Sequence, residues 1–207
     1  MDEGRVSGPP AGSAAGGAPP VWLVTGIPGA GKSTVARALA ETAPLGVHIE
    51  GDRLQRLIVS GAVPPRPEHD EEAERQIELN IRHQCLLAAS FREAGFEVVV
   101  DYVVTSTARL DLYRSLLPAV PLRLVVLAPG SAVALHRDAA RGKQVLGDWL
   151  HLEEEMRGEL GGSGLWLDNR ALSVDETVTR ILGRAREASL KEHVPRPDAV
   201  PPLTTLS

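Results

Sequence analysis

The chain has 207 residues, of which 43% are hydrophobic and 24% charged, with a formal net charge of −5. This is an ordinary globular composition, long enough for one domain around a substantial core. The acidic balance and an aromatic content of 3% disfavour nucleic-acid partners, and the single cysteine, Cys85, excludes an intrachain disulfide or a thiolate metal cluster.

Residues 1–20 are mostly Gly, Ala, Pro and Ser and carry too little apolar surface to offset ordering, so a disordered tail is expected. A second loose, proline-bearing tail is expected at 191–207, leaving a domain at 21–190. No apolar run approaches the roughly 20 residues that span a bilayer. No signal peptide is expected at Met1-Asp2-Glu3, where a basic region followed by an apolar core is lacking. With one cysteine, a cytoplasmic setting is the simplest expectation.

Within the domain, strand-like runs fall at 21–26, 46–50, 96–104, 122–127 and 165–167. Helical patterns fall at 33–42, 53–60, 69–94, 106–117, 130–141, 147–160 and 174–190. The third and fourth strands are nearly continuous apolar runs, as parallel strands covered on both faces should be. The alternation predicts an open α/β sheet with helices on both sides. Right-handed crossovers bring the strands' C-terminal ends to one edge, where ligands bind. That edge collects residues 26–34, Glu50 to Arg53, Asp101-Tyr102 and Asp168-Asn169.

Residues 26–34 read Gly26-Ile27-Pro28-Gly29-Ala30-Gly31-Lys32-Ser33-Thr34 and fit the P-loop pattern G-x-x-x-x-G-K-[ST]. Glycines let the backbone curl so that several N–H groups face one phosphate chain, and the following helix N-terminus adds positive potential. Lys32 reaches the β- and γ-phosphates, and the Ser33 hydroxyl ligates Mg²⁺. The preceding run, Val21 to Val24, supplies the strand that the motif requires.

Asp101 ends the run Phe96 to Val100, which suits a second phosphate motif that delivers one carboxylate toward Mg²⁺; a helix cap or a solvated strand end is the alternative. Tyr102 follows where a Glu would polarise water, so the pattern favours transfer over hydrolysis. Asp52, after the second strand, fits either a general base for an acceptor hydroxyl or an N-cap for the next helix. Glu50 is a weaker candidate for the base and can also bind substrate. Arg53 and Arg56 share a helix face and can grip an acceptor, as can Arg82, Arg109 and Tyr102, or they are plain surface groups. Arg137 and Arg141, four apart, form either an arginine-bearing lid over the transferring phosphoryl or a solvated helix end. Asn169, with Arg170, either clasps the nucleobase or makes an ordinary turn. Cys85 reads as a small buried hydrophobe more readily than as a reactive thiol.

Taken together, these residues resemble a small P-loop kinase of the nucleoside-monophosphate-kinase-like group, and within it the chloramphenicol phosphotransferase-like and zeta-toxin-like kinases. The resemblance covers roughly residues 21–185. It implies a three-layer α/β/α P-loop NTPase fold with a five-stranded parallel sheet in the order 2-3-1-4-5. It also implies ATP with Mg²⁺ as donor, transfer to a hydroxyl of a small molecule, and Asp52 as general base. A regulatory NTPase and a polynucleotide end kinase are the other functional classes; net charge and scarce aromatics weigh against the second. The residues do not identify the acceptor.

Overall fold

The computed structural model describes residues 19–65, 70–117, 120–140 and 151–190. Five strands form one parallel sheet: β1 (Val21–Thr25), β2 (Gly46–Glu50), β3 (Glu97–Asp101), β4 (Leu122–Leu127) and β5 (Leu165–Leu167). Their order is β2-β3-β1-β4-β5, as the resemblance implies. Eight helices are described: α1 (Lys32–Glu41), α2 (Gly51–Gln55), α3 (Glu71–Glu93), α4 (Thr107–Leu116), α5 (Ser131–Ala140), α6 (Leu152–Leu160), α7 (Val174–Gly183) and α8 (Ala185–Ala188). None of the described helices is long and apolar enough to cross a membrane.

The sheet is the core. All five residues of β1 are buried, as are Val98 to Val100 of β3 and Leu124 to Leu127 of β4. This is what strands covered on both faces require, and it explains the unbroken apolar runs. The register sets Val24 of β1 beside Asp101 of β3, and Glu50 of β2 beside Asp101 on its other flank. The functional edge therefore follows from the pairing.

The third strand was expected to run to 104 but ends at Asp101. Beyond it, the Val104 amide turns to the Thr25 hydroxyl at 2.9 Å, leaving the ladder. The helix expected at 53–60 is a single turn over Gly51–Gln55. Ile58 and Val59 are β-branched, and Ser60-Gly61 follow, with Gly61 at φ +74°, so the turn does not propagate. The helix expected at 174–190 is two helices, broken at Gly183-Arg184. A Ser173–Glu176 capping box starts the first of them, and glycine weakens its end. The break returns the chain to the sheet, where the Leu190 amide donates to the Leu122 carbonyl at 3.0 Å. Because β5 has only three residues, that contact covers the part of β4 that β5 leaves open.

Helix α3 is capped by Asp70, whose carboxylate accepts from the amides of Glu72 and Ala73, both at 3.0 Å. Acidic residues in its first turn suit the helix dipole.

Candidate active site

The P-loop runs from the end of β1 to the start of α1. Gly29 and Gly31 have φ of +79° and +94°, a region that favours glycine. A Cβ on Gly29 would meet the Ala134 carbonyl oxygen at 2.2 Å, so the loop also packs too tightly against α5 for a side chain. Gly31 is the N-cap of α1, which leaves the helix start open toward the loop. The Lys32 ammonium donates to the Ile27 carbonyl at 3.2 Å, and so lies over the loop.

Beneath it, the Ser33 hydroxyl donates to a carboxylate oxygen of Asp101 at 3.2 Å. Asp101 is 2% exposed, and its other oxygen is hydrogen-bonded to the His48 imidazole from the edge strand. Asp101 is therefore neither solvated nor a cap; α4 is capped by Ser106 instead. A hydroxyl and a carboxylate side by side form a hard-oxygen donor set that fits Mg²⁺. Among the described residues no group of three or more His, Cys, Asp or Glu side chains could hold a metal ion.

Asp52 lies in the first turn of α2, whose N-cap is Glu50, so the cap role weighed for Asp52 does not apply. Its side chain has no hydrogen bond or ion pair among the described residues. Glu50 is engaged by Arg53 at 2.6 Å and Arg56 at 3.8 Å. Tyr102 is mostly buried, and its hydroxyl is pushed up to about 12 by burial, with Arg109 opposing, Asp52 adding, Asn80 opposing and Glu74 adding. It remains a protonated phenol at neutral pH. Arg82 lies two residues beyond Asn80 on α3, so helical geometry turns it away from the Asp52 side.

A set of buried amides holds this side together, and the sequence reading missed it. Gln76, Asn80 and Gln84 occupy one row of α3. Asn80 donates to the Gly51 carbonyl and to the Gln55 side chain, both at 3.0 Å. Gln84 donates to Asn80 at 2.9 Å and accepts from the Tyr113 hydroxyl. Gln76 donates to the Gly61 carbonyl at 2.8 Å and accepts from the Val63 amide at 2.9 Å. The detectable signal was amides at i, i+4 and i+8 beside the apolar stripe of Ile77, Ile81, Cys85 and Ala88.

On the opposite side of the loop, a cavity of about 430 Å³ is lined by Gly31, Thr34, Arg137, Asn169, Leu172 and Thr177, among others. Asn169, expected to face the nucleobase, donates through its amide nitrogen to the Ala30 carbonyl at 3.0 Å, tying β5 to the P-loop. Its amide oxygen is buried without a partner among the described residues. Arg137 donates to the carbonyls of Asn169 and Arg170 at 3.2 and 3.3 Å, so it belongs to this cavity's wall. Arg170 is held outside by Asp168. Arg141, and the chain after it to 150, lie outside the described residues. A groove of about 890 Å³ runs along α1 and β2, and its lining includes Arg37 and Arg53 but also Glu41 and Glu50. It is not a basic trough of the kind a polynucleotide end would need.

Several known proteins are similar. A UPF0200 protein of Aeropyrum pernix is 39% identical over 83 residues, which is 39% of this chain; the chain spans only 44% of that relative's length. A sugar kinase of Janibacter sp. HTCC2649, solved unliganded, superposes with a TM-score of 0.62 at 19% identity, over 82% of this chain and 96% of that one. The Mycobacterium tuberculosis APS kinase CysC, solved with AMPPNP and APS, superposes with a TM-score of 0.61 at 19% identity, over 81% and 98% of the two chains. At such identities these structures establish the P-loop NTPase fold. Residues 21–154, well over half the chain, match a family described as an AAA domain, and the chain belongs to that family, AAA_33.

Proposed function

We propose that the protein is an ATP-dependent phosphotransferase that moves the γ-phosphoryl group to a hydroxyl of a small molecule. One arrangement carries this reading. The P-loop and the Ser33–Asp101 pair form the donor side, and the unpaired carboxylate of Asp52 lies just past the neighbouring strand. The kinase folds reported above support it, one of them solved with AMPPNP and APS.

In this reading the loop amides and Lys32 bind the β- and γ-phosphates, and Ser33 with Asp101 would hold Mg²⁺, which would supply charge neutralisation on the phosphates. Asp52 accepts the acceptor's hydroxyl proton while that oxygen bonds to the γ-phosphorus. The bond from the γ-phosphorus to its bridging oxygen breaks, and ADP leaves. Tyr102, a protonated phenol beside Asp101, offers no base for water, which favours transfer over hydrolysis. Arg137 and Asn169 act at the cavity that would take the base. The orphaned Asn169 oxygen suits the amino group of adenine better than the carbonyl of guanine. Charge on the moving group then falls to Lys32 and Arg141. A soluble, cytoplasmic site of action is part of the same proposal.

The test is Asp52→Asn. Loss of a general base costs about 10²–10⁴ in rate. ATP affinity should change by no more than a few-fold. Transfer at the native rate by this variant removes Asp52 from the chemistry.

A further inference from the structure

The chemistry of the acceptor follows from how charge is already paired beside Asp52. We propose, on the kinase reading above, that the acceptor is an uncharged or cationic hydroxyl compound and not a carboxylate or a phosphate ester. Among the described residues, Arg53, Arg56, Arg75 and Arg109 each lean on a carboxylate. Arg53 and Arg56 share Glu50, and Arg75 pairs with Glu72 at 2.7 Å.

Arg109 is the most firmly held. One branch of its guanidinium forks onto both oxygens of Glu74, at 2.7 and 2.9 Å, and the other donates to the Thr105 hydroxyl at 2.9 Å. Its side chain is only 19% exposed. A charge-assisted, partly buried pair of this kind is among the stronger polar contacts in proteins. An anionic acceptor would have to break it to reach the guanidinium.

The side chains packed against Gly51, those of Tyr102 and Gln84, are neutral. Gly51, which precedes Asp52, packs on the buried Tyr102 ring, and Asn80 donates to the Gly51 carbonyl at 3.0 Å. The Asn80 amide is engaged by Gly51 and Gln55, and the Thr105 hydroxyl by Arg109, so none of them adds a free positive charge beside Asp52. Asp52, charged in order to take a proton, repels an anion and attracts a cation.

The experiment uses the full chain with MgATP and follows phosphorylated product by mass across neutral, cationic and anionic alcohols. On the best scaffold, matched pairs differing only by a carboxylate or an amine are then compared by kcat/KM. The native protein should favour the neutral or cationic member at least tenfold over the acid. Glu74→Gln, which leaves Arg109 without its counter-charge, should move that ratio about tenfold toward the acid. Arg109→Gln should move it the other way. A folding defect would lower both members alike, so the opposite signs separate charge from stability. Native preference for the acid, or a ratio that neither variant moves, overturns the inference and leaves the kinase reading standing. Bound MgATP with transfer to no member of any class refutes the kinase reading itself, and this inference with it.

Discussion

Gly51→Ala is the sharpest test of how the acceptor side is built. A Cβ on Gly51 would lie 2.4 Å from Cδ2 of Tyr102 and 2.7 Å from Nε2 of Gln84. Ordinary carbon contacts are about 3.5–4.0 Å, so the overlap exceeds an ångström. The ring cannot retreat, because Tyr102 is 6% exposed, and Gln84 is tied between Asn80 and Tyr113. The start of α2 must therefore shift, strain its bond from Asn80, and carry Asp52 with it. Overpacking of this kind costs about 1–3 kcal/mol, and each kcal/mol lowers the melting temperature of a chain this size by about 2–4 °C. A displacement of ~1 Å at a reacting group can cost about 10²-fold in rate. Thermal unfolding followed by circular dichroism, with steady-state kinetics on the same sample, measures both. ATP affinity should hold, since the P-loop is not in this contact. A variant with native melting temperature and native kcat would refute the claim that Gly51 packing positions Asp52.

Asn169→Ala removes the tie to the Ala30 carbonyl, at a cost of about 1–3 kcal/mol, and should raise the KM for ATP about tenfold while narrowing discrimination against GTP. Unchanged nucleotide kinetics would exclude both roles. Asp101→Asn should raise the Mg²⁺ concentration for half-maximal activity tenfold or more, and an unaltered Mg²⁺ titration would remove Asp101 from the metal site. Burial pushes the Cys85 thiol up to about 12, with Arg82 opposing, and Tyr102 up to about 12 as well. Both folded values lie above the unfolded ones of 9.0 and 10.0, so the unfolded chain loses these protons first. Stability is then full below about pH 9 and lost as pH rises toward 12, by an amount on the order of several kcal/mol. Urea unfolding across that range should show the fall, and Cys85→Ala should flatten it; equal slopes in both proteins would contradict the assignment.

The P-loop half of the candidate site was legible because its pattern is local. Nine consecutive residues fix the P-loop, and the strand and helix that flank it are strongly patterned. Asp101 was legible for a related reason: a buried apolar run ending in one carboxylate has few uses. The acceptor half depends on contacts far apart in sequence. Asn80 reaches Gly51 across 29 positions and Arg109 reaches Glu74 across 35, so no local pattern announces either contact. His48 drew no notice because a lone histidine has no ligand spacing, yet strand pairing delivers it to Asp101. Asn169 and Arg137 likewise make contacts far apart in sequence. Their residue types suited a nucleotide, but only the fold revealed that one ties down the P-loop and the other is anchored to the loop after β5.

Phosphoryl transfer itself is the central claim, and product mass tests it most directly. The full chain, incubated with MgATP and the acceptor panel, should yield an acceptor heavier by one phosphoryl group in step with ADP release. Lys32→Ala should abolish both signals, and Asp52→Asn should suppress them while nucleotide still binds. ADP released at the same rate with and without acceptors, and no acceptor gaining mass, would contradict the account and mark the protein as a hydrolase.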